Sequence, residues 1–296
     1  IIILINSLYL LRKKKMERIL FMKKLFMILL LSAIILVLCY SRYIEPELLV
    51  LKEINVETDM DIEKWKVRFF TDTHFGKLYN EKHVKKMVDM INERQADIVI
   101  FGGDLFDNYG RDKEILDMNY LQKELDRIEA KEGKYAVFGN HDYGGGSFRI
   151  YEDFMNDCGF HVLINECAIL EKYNMEIIGF DDYLLGQTKT DFYHIQSNTF
   201  HLIVTHEPII SKFIEGFGDN FVLSGHTHGG QVSIPYFTKK LLPKGSDQFV
   251  KGFYTTQDIG TENSVQIYVS SGIGLTKYPF RLFNTPEIIE VNLIKK

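Results

Sequence analysis

Apolar residues run along this chain in distinct rhythms. Over 25–40 no residue is charged, and Leu25-Phe26-Met27-Ile28-Leu29-Leu30-Leu31 is unbroken. A stretch without a polar face predicts a membrane-directed segment rather than a core helix. Further on the pattern changes to short apolar runs that alternate with amphipathic stretches. Residues 67–70, 98–101 and 135–138 predict strands, while Val84, Met87, Val88 and Ile91 recur at helical spacing, as do Ile115, Leu116, Leu121, Leu125 and Ile128. Three strand-helix units in succession predict a βαβ arrangement with parallel strands. The second half is richer in strands, at 162–164, 168–170, 176–178, 201–204, 221–223, 265–269 and 288–291, which suits a second sheet packed on the first. Residues 235–260, with Pro243, Gly245 and Gly252, predict a long loop placed as a lid. There is no internal repeat, so one α/β domain is the simplest reading.

Charge divides the chain at the same place as hydropathy. Residues 1–44 carry eight Lys/Arg and Glu17 alone, a net of +7, which leaves −12 for Glu45–Lys296 out of a total of −5. So acidic a body argues against a grip on long nucleic acids, which needs many cationic contacts to phosphate, and no nucleic-acid partner is expected. Lys13 to Lys15, Arg18, Lys23 and Lys24 precede the apolar run and Arg42 alone follows it closely. By the positive-inside rule this predicts a cytoplasmic N-terminus and a body on the outer side of the cell membrane, reached by a single pass. No small-x-small cleavage site precedes Glu45, which favours an uncleaved anchor. The expected divisions are a basic cytoplasmic leader over 1–24, a transmembrane signal anchor over 25–40, a connector over 41–60 and the main domain over 61–296. Met16 and Met22 both stand at plausible starts, so residues 1–15 or 1–21 read as an upstream extension. Cys39, Cys158 and Cys167 match no zinc-knuckle spacing, and buried free thiols are the favoured reading over a Cys158–Cys167 disulfide.

The candidate chemistry sits where the predicted strands end. Thr71-Asp72-Thr73-His74 follows the first strand, Gly102-Gly103-Asp104 the second and Gly139-Asn140-His141-Asp142 the third. Later strands run into Thr205-His206-Glu207 and Gly225-His226-Thr227-His228-Gly229-Gly230. In an open α/β sheet these ends line the ligand crevice. Each fragment alone reads as an ordinary turn or a core histidine. Together they collect five of the nine histidines, His74, His141, His206, His226 and His228, which makes a purely structural explanation strained.

The ordered series D-x-H, G-D-x-x-D, G-N-H-D, a lone His and G-H-x-H resembles the calcineurin-like metallophosphoesterase superfamily over about 66–290. Within it, 225–231, Ser270-Ser271-Gly272-Ile273-Gly274 and the segment 281–287 resemble a membrane-associated or exported bacterial branch. The resemblance implies a four-layer sandwich of two mixed β-sheets flanked by helices, the metallophosphoesterase fold. It also implies two divalent metal ions, Mn, Fe or Zn, with Asp72, His74 and His228 on one, Asn140, His206 and His226 on the other, and Asp104 between them. Carboxylate, amide and imidazole donors without a thiolate suit these metals. His141 is not a ligand in that pattern and follows Asn140 directly, so it reads as the leaving-group acid or a transition-state stabiliser, oriented by Asp107 or by Asp142.

Such a centre implies hydrolysis of a phosphate ester. The protein phosphatases of the superfamily carry an arginine shortly after G-D-x-x-D, whereas here Asp107 runs on to Asn108-Tyr109. That departure argues against a phosphoprotein, and the resemblance to exported or anchored members implies a phosphorylated small molecule or lipid as substrate, either a phosphodiester or a pyrophosphate of a lipid or nucleotide sugar at the cell envelope. A phosphomonoesterase or cyclic-nucleotide phosphodiesterase is the alternative enzyme, and an inactive phosphate-binding module the alternative of another class. Tyr236, Phe237, Leu241 and Leu242 in the expected lid either receive an acyl chain or pack onto their own domain.

Overall fold

A strand that is apolar at every position needs cover on both faces, and two stacked sheets with outer layers provide it. The computed structural model describes residues 2–60, 65–196, 198–214, 218–261 and 265–296. The chain divides into two units, residues Ile1–Ile44 and Glu45–Lys296. The first is one helix, α1 (Ile2–Tyr43), long and apolar enough by length and composition to cross a membrane. It extends well beyond 25–40 because Lys, Arg, Met and Leu at 10–24 are good helix formers.

The body opens with β1 (Val50–Thr58) and β2 (Trp65–Phe70), then α2 (Val84–Ile91), β3 (Ala96–Phe101), α3 (Tyr109–Asp112) and α4 (Met118–Asp126). β4 (Ala130–Ala136), α5 (Asn140–Gly144), α6 (Tyr151–Asp157) and β5 (Phe160–Val162) follow. The second half supplies β6 (Glu166–Leu170), β7 (Met175–Gly179), β8 (Phe200–Thr205), β9 (Asn220–Ser224), β10 (Gly252–Tyr254), α7 (Thr256–Ile259), β11 (Ile267–Val269) and β12 (Glu287–Lys295). One six-stranded sheet has the order β1-β12-β2-β3-β4-β5 and the other β10-β11-β9-β8-β7-β6. Both are mixed: β12 runs antiparallel to β2, β6 to β7 and β10 to β11, while the central strands are parallel.

The two-residue period of the strands sorts their side chains into layers. Val67, Phe69, Ile98 and Ile100 of the first sheet meet Ile177, Leu202, Val204 and Leu223 of the second in a shared inner core. Phe70, Val99 and Phe101 point the other way, under Met87 and Val88 of α2, Leu121 and Leu125 of α4, and Met155 of α6. The outer face of the second sheet, with Ile178, Ile203 and Val222, is covered by Ile210, Phe249 and Ile259. The chain therefore has the four-layer metallophosphoesterase sandwich. Cys158 packs on the outer face of the first sheet and Cys167 against the outer core of the second, so the two thiols lie apart.

Two stretches differ from the sequence reading. The connector expected over 41–60 holds β1, which pairs in parallel with β12 from Val50↔Glu287 to Thr58↔Lys295. Its signal was weak because an edge strand with one wet face carries Lys52, Glu53 and Glu57 among its apolar positions. The boundary expected at residue 61 falls within 61–64, outside the described residues. The loop expected over 235–260 contains the short β10 and α7, which close the edge of the second sheet.

One polar pair is buried between first-sheet strands. Arg68 and Glu290 are cross-strand partners on β2 and β12, 2.6 Å apart and both sealed from solvent. Removing one member leaves the other charge buried without its counterion. Arg68→Met is expected to destabilise the body by about 3–5 kcal/mol in chemical denaturation, with Arg68→Met/Glu290→Leu recovering most of that loss. A single-variant loss no larger than the double variant's would show that the pair has no such role.

Candidate metal centre

Parallel strands deliver their C-terminal ends to the same edge, and the polar fragments begin there. β2 ends at Phe70 two residues before Asp72, β3 ends at Phe101 three before Asp104, and α5 starts at Asn140. From the second sheet, β8 ends at Thr205 beside His206, and β9 ends at Ser224 two residues before His226. The backbone turns sharply at these points. Asp72 (φ 54), His74 (φ 45), Asp104 (φ 59), His226 (φ 69) and His228 (φ 50) all occupy the left-handed region, which side chains other than glycine rarely adopt. Close approach sets two glycines as well. A Cβ on Gly225 would stand 2.3 Å from Asp72 Oδ2, and one on Gly139 would stand 2.2 Å from Asp104 Oδ1.

All seven residues expected as ligands come together, buried or nearly so. His228 Nε2 lies 2.8 Å from His74 Nε2 and 3.3 Å from Asp72 Oδ1. On the other side, His226 Nδ1 lies 2.9 Å from Asn140 Oδ1. Asp104 Oδ2 stands between the groups, 3.4 Å from His74 Nε2 and 3.1 Å from His206 Nε2. The far nitrogens of two rings are fixed from behind: His206 Nδ1 by the Gly102 carbonyl at 2.7 Å and His226 Nε2 by the Lys244 carbonyl at 2.6 Å. This is the way a metal-binding imidazole is held in one tautomer.

Electrostatics points the same way. Burial raises Asp72 above the ordinary carboxylate range. Burial would also raise Asp104, but His206 and His141 hold it well below that range. Burial and His206 push His226 down to about 3, and burial and His74 put His228 well below the ordinary imidazole value. His226 and His228 are therefore held neutral, with lone pairs available beside carboxylates. His206 goes the other way: burial acts to lower it, but Asp104, 3.1 Å from its Nε2, raises it well above the ordinary imidazole value, while His228 Nδ1 is buried with no hydrogen-bond partner among the described residues. Oxygen and nitrogen donors in this arrangement fit divalent cations of the Mn, Fe or Zn type. Asp72, His74 and His228 group around one point, and Asp72, Asp104 and His206 around another.

The two residues expected to catalyse are placed differently from the reading of Asp107. His141 Nδ1 meets the main-chain carbonyl of Asp107 at 2.6 Å, whereas the Asp107 carboxylate is 3.8 Å away. That carboxylate instead bonds Arg111 Nη2 at 2.6 Å and Thr276 Oγ1 at 2.8 Å, and lies 3.5 Å from His74 Nδ1. Burial acts to raise it, but His74, Arg111 and Thr276 hold it below the ordinary range. Asp142, the other candidate orienter, turns away from His141. Its oxygens accept from the backbone N–H of Gly139, Asp104 and Leu105 at 3.0, 2.8 and 3.0 Å, which ties two ligand loops together.

Several residues escaped the sequence reading. Arg111, four positions beyond Asp107 on α3, reaches back to it, a helical spacing that was available in the sequence. Arg281 is fully buried and donates to the carbonyls of Ser271, Gly272, Gly274 and Asn284, fixing a loop whose Gly274 N–H bonds the Asp72 carbonyl at 2.7 Å. Asn284 Nδ2 in turn bonds the His228 carbonyl. Beside the centre opens a cleft of about 490 Å³, lined among others by Asn140, His141, Lys77, Arg111 and Lys277.

The calcineurin-like phosphoesterase family matches residues 66–230. The uncharacterized metallophosphoesterase YkuE of Bacillus subtilis is 29% identical over 260 residues, 84% of this chain and 87% of that protein. An uncharacterized metallophosphoesterase of Helicobacter pylori strain J99 is 31% identical over 83% of this chain, which spans 64% of that longer relative. The phosphodiesterase YaeI of Escherichia coli is 25% identical over 78% of this chain and 82% of its own length. The matched region runs from β2 through the His226 and His228 loop and includes all seven converging residues, so the chain belongs to the calcineurin-like phosphoesterase family.

Proposed function

We propose that this chain is a dinuclear metal-dependent phosphoesterase that hydrolyses a phosphodiester, or a pyrophosphate of a lipid or nucleotide sugar, at the cell envelope. The observation that carries the reading is the position of Asp104, whose Oδ2 lies within 3.4 Å of imidazoles from both halves of the site. Asp72, His74 and His228 would hold one ion, Asn140, His206 and His226 the other, with Asp104 shared. Bound cations would supply Lewis-acid polarisation of the ester and acidify water for attack.

The chain's own groups do the rest. His141 is locked by the Asp107 carbonyl at Nδ1, so that nitrogen carries the proton and Nε2 remains to face the cleft. Burial lowers its pKa, yet Asp104 and the Asp107 carbonyl raise it above the ordinary value, which suits a proton donor to a leaving alkoxide. Lys77 and Lys277 put positive charge on the cleft wall, where a second anionic group of a diester or diphosphate would lie. The α1 helix supports an envelope location, and the basic residues before its apolar core support a body on the outer side.

Asp104→Ala or His226→Ala, with the fold retained by circular dichroism, is expected to abolish metal-dependent hydrolysis of bis(p-nitrophenyl) phosphate; undiminished turnover in either would remove the metal assignment. His141→Gln is expected to lower kcat by about 10²–10⁴-fold while the bound metal measured by mass spectrometry stays unchanged. Turnover of p-nitrophenyl phosphate well above that of the diester would move the assignment to a monoesterase. Protease added to intact cells is expected to digest the body and leave α1 with the membrane, and full protection of Glu45–Lys296 would put the body in the cytoplasm.

A further inference from the structure

The segment after the metal-ligand loop carries an apolar surface that the body leaves uncovered. Tyr236 is 92% exposed, Phe237 65% and Leu241 79%, while Leu242, the fourth of the expected lid residues, is half-buried. These side chains therefore do not pack onto their own domain. Their presentation is built rather than loose. Thr238 is buried at the root, its hydroxyl accepting from Ile234 N at 2.8 Å and its methyl lying against Gly230. Tyr236 sits at φ 68, a costly conformation for an aromatic residue, and it holds that ring outward.

Charge at this finger departs from the rest of the body. Residues 234–244 contain Lys239, Lys240 and Lys244 and no Asp or Glu, an isolated patch of +3 on a body of −12. Aromatic side chains beside lysines are the composition that settles at the boundary between headgroups and acyl chains. The finger also stands close to where the body begins. Its base pairs with the segment before Asn284: Val232 bridges Leu282, and Ser233 N bonds the Leu282 carbonyl at 2.8 Å. Asn284 N in turn bonds Glu45, the first residue of the body, and Phe283 between these contacts is 71% exposed. In sequence, only Ile44 separates Glu45 from the last residue of the apolar helix.

We propose that residues 234–244, with Phe283, form a membrane-docking finger that enters the headgroup zone of an anionic bilayer. The three lysines pair with lipid phosphates while Tyr236, Phe237 and Leu241 bury their apolar faces. This reading is independent of the substrate, since it concerns where the body rests and not what it cuts. The bilayer is favoured over a protein partner because the finger sets lysines beside exposed aromatic and apolar side chains with no acidic residue among them, and the chain carries its own candidate membrane span.

The test uses the full chain reconstituted in vesicles of phosphatidylcholine and phosphatidylglycerol. Phe237→Trp and Leu241→Trp each place a reporter at the tip, and Ile169→Trp places one on exposed β6 as a control. The signal of the unmodified chain, from buried Trp65, is subtracted. Brominated lipids are expected to quench the tip reporters roughly twofold or more and to leave the control unchanged. Adding Lys239→Glu/Lys240→Glu to Phe237→Trp is expected to remove most of that quenching. Water-like emission at both tip positions, unaffected by brominated lipid, would overturn the proposal and leave a protein as the occupant of the finger. Equal quenching of the control would overturn it too, because it would show contact without a preferred face.

Discussion

The site depends on holding like-minded groups together against their own repulsion. Asp72 and Asp104 are buried carboxylates, and the imidazoles beside them offer lone pairs to the same small volume. Left alone, such groups would separate or take up protons. The backbone opposes this by adopting left-handed conformations at Asp72, His74, Asp104, His226 and His228. Each costs about 1–3 kcal/mol and persists only where the surroundings over-determine it. The surroundings do so here through Asp142, which joins the Gly139 and Asp104 loops, and through Arg281, whose guanidinium gathers the carbonyls of the loop beneath Asp72. Cation binding would repay the strain by converting mutual repulsion into shared attraction.

This arrangement explains which parts were legible in the sequence. The ligand fragments stand out because continuous apolar runs stop abruptly at Gly, Asp and His, and parallel strands bring their C-terminal ends to one edge. β1 was missed because its register with β12, and not its own composition, makes it a strand. The spacing of Asp107 suggests a side-chain role beside His141, whereas the imidazole meets its main-chain carbonyl, a group that every residue type shares. Arg281 and Asn284 lie in a segment without periodicity. Their importance comes from carbonyls that point at them from far along the chain, and no local pattern encodes that.

Charge is distributed with a purpose that net values conceal. The body is acidic overall, yet its cleft presents Lys77, Arg111 and Lys277. Arg111 is largely neutralised by Asp107 and Asp112, so it serves as a brace behind the site more than as a free cation. The lysines of the cleft and of the finger are thus local exceptions in a repulsive field. An acidic body repels polyanions in general, and that repulsion is locally reversed at these two small regions.

The position of β12 bears on how the body forms. It lies between β1 and β2, strands drawn from the opposite end of the body, and β1 has no other strand neighbour in its sheet. During synthesis β1 must therefore wait unpaired while β2 keeps one open edge, until nearly all of the body has been made. Long-range closure of this kind is slow, and unpaired edges invite association with other chains. The first sheet is in effect closed by the strand that comes last along it among the described residues, so the loops of the candidate metal centre, all encoded before Glu287, emerge ahead of the strand that joins β1 to β2.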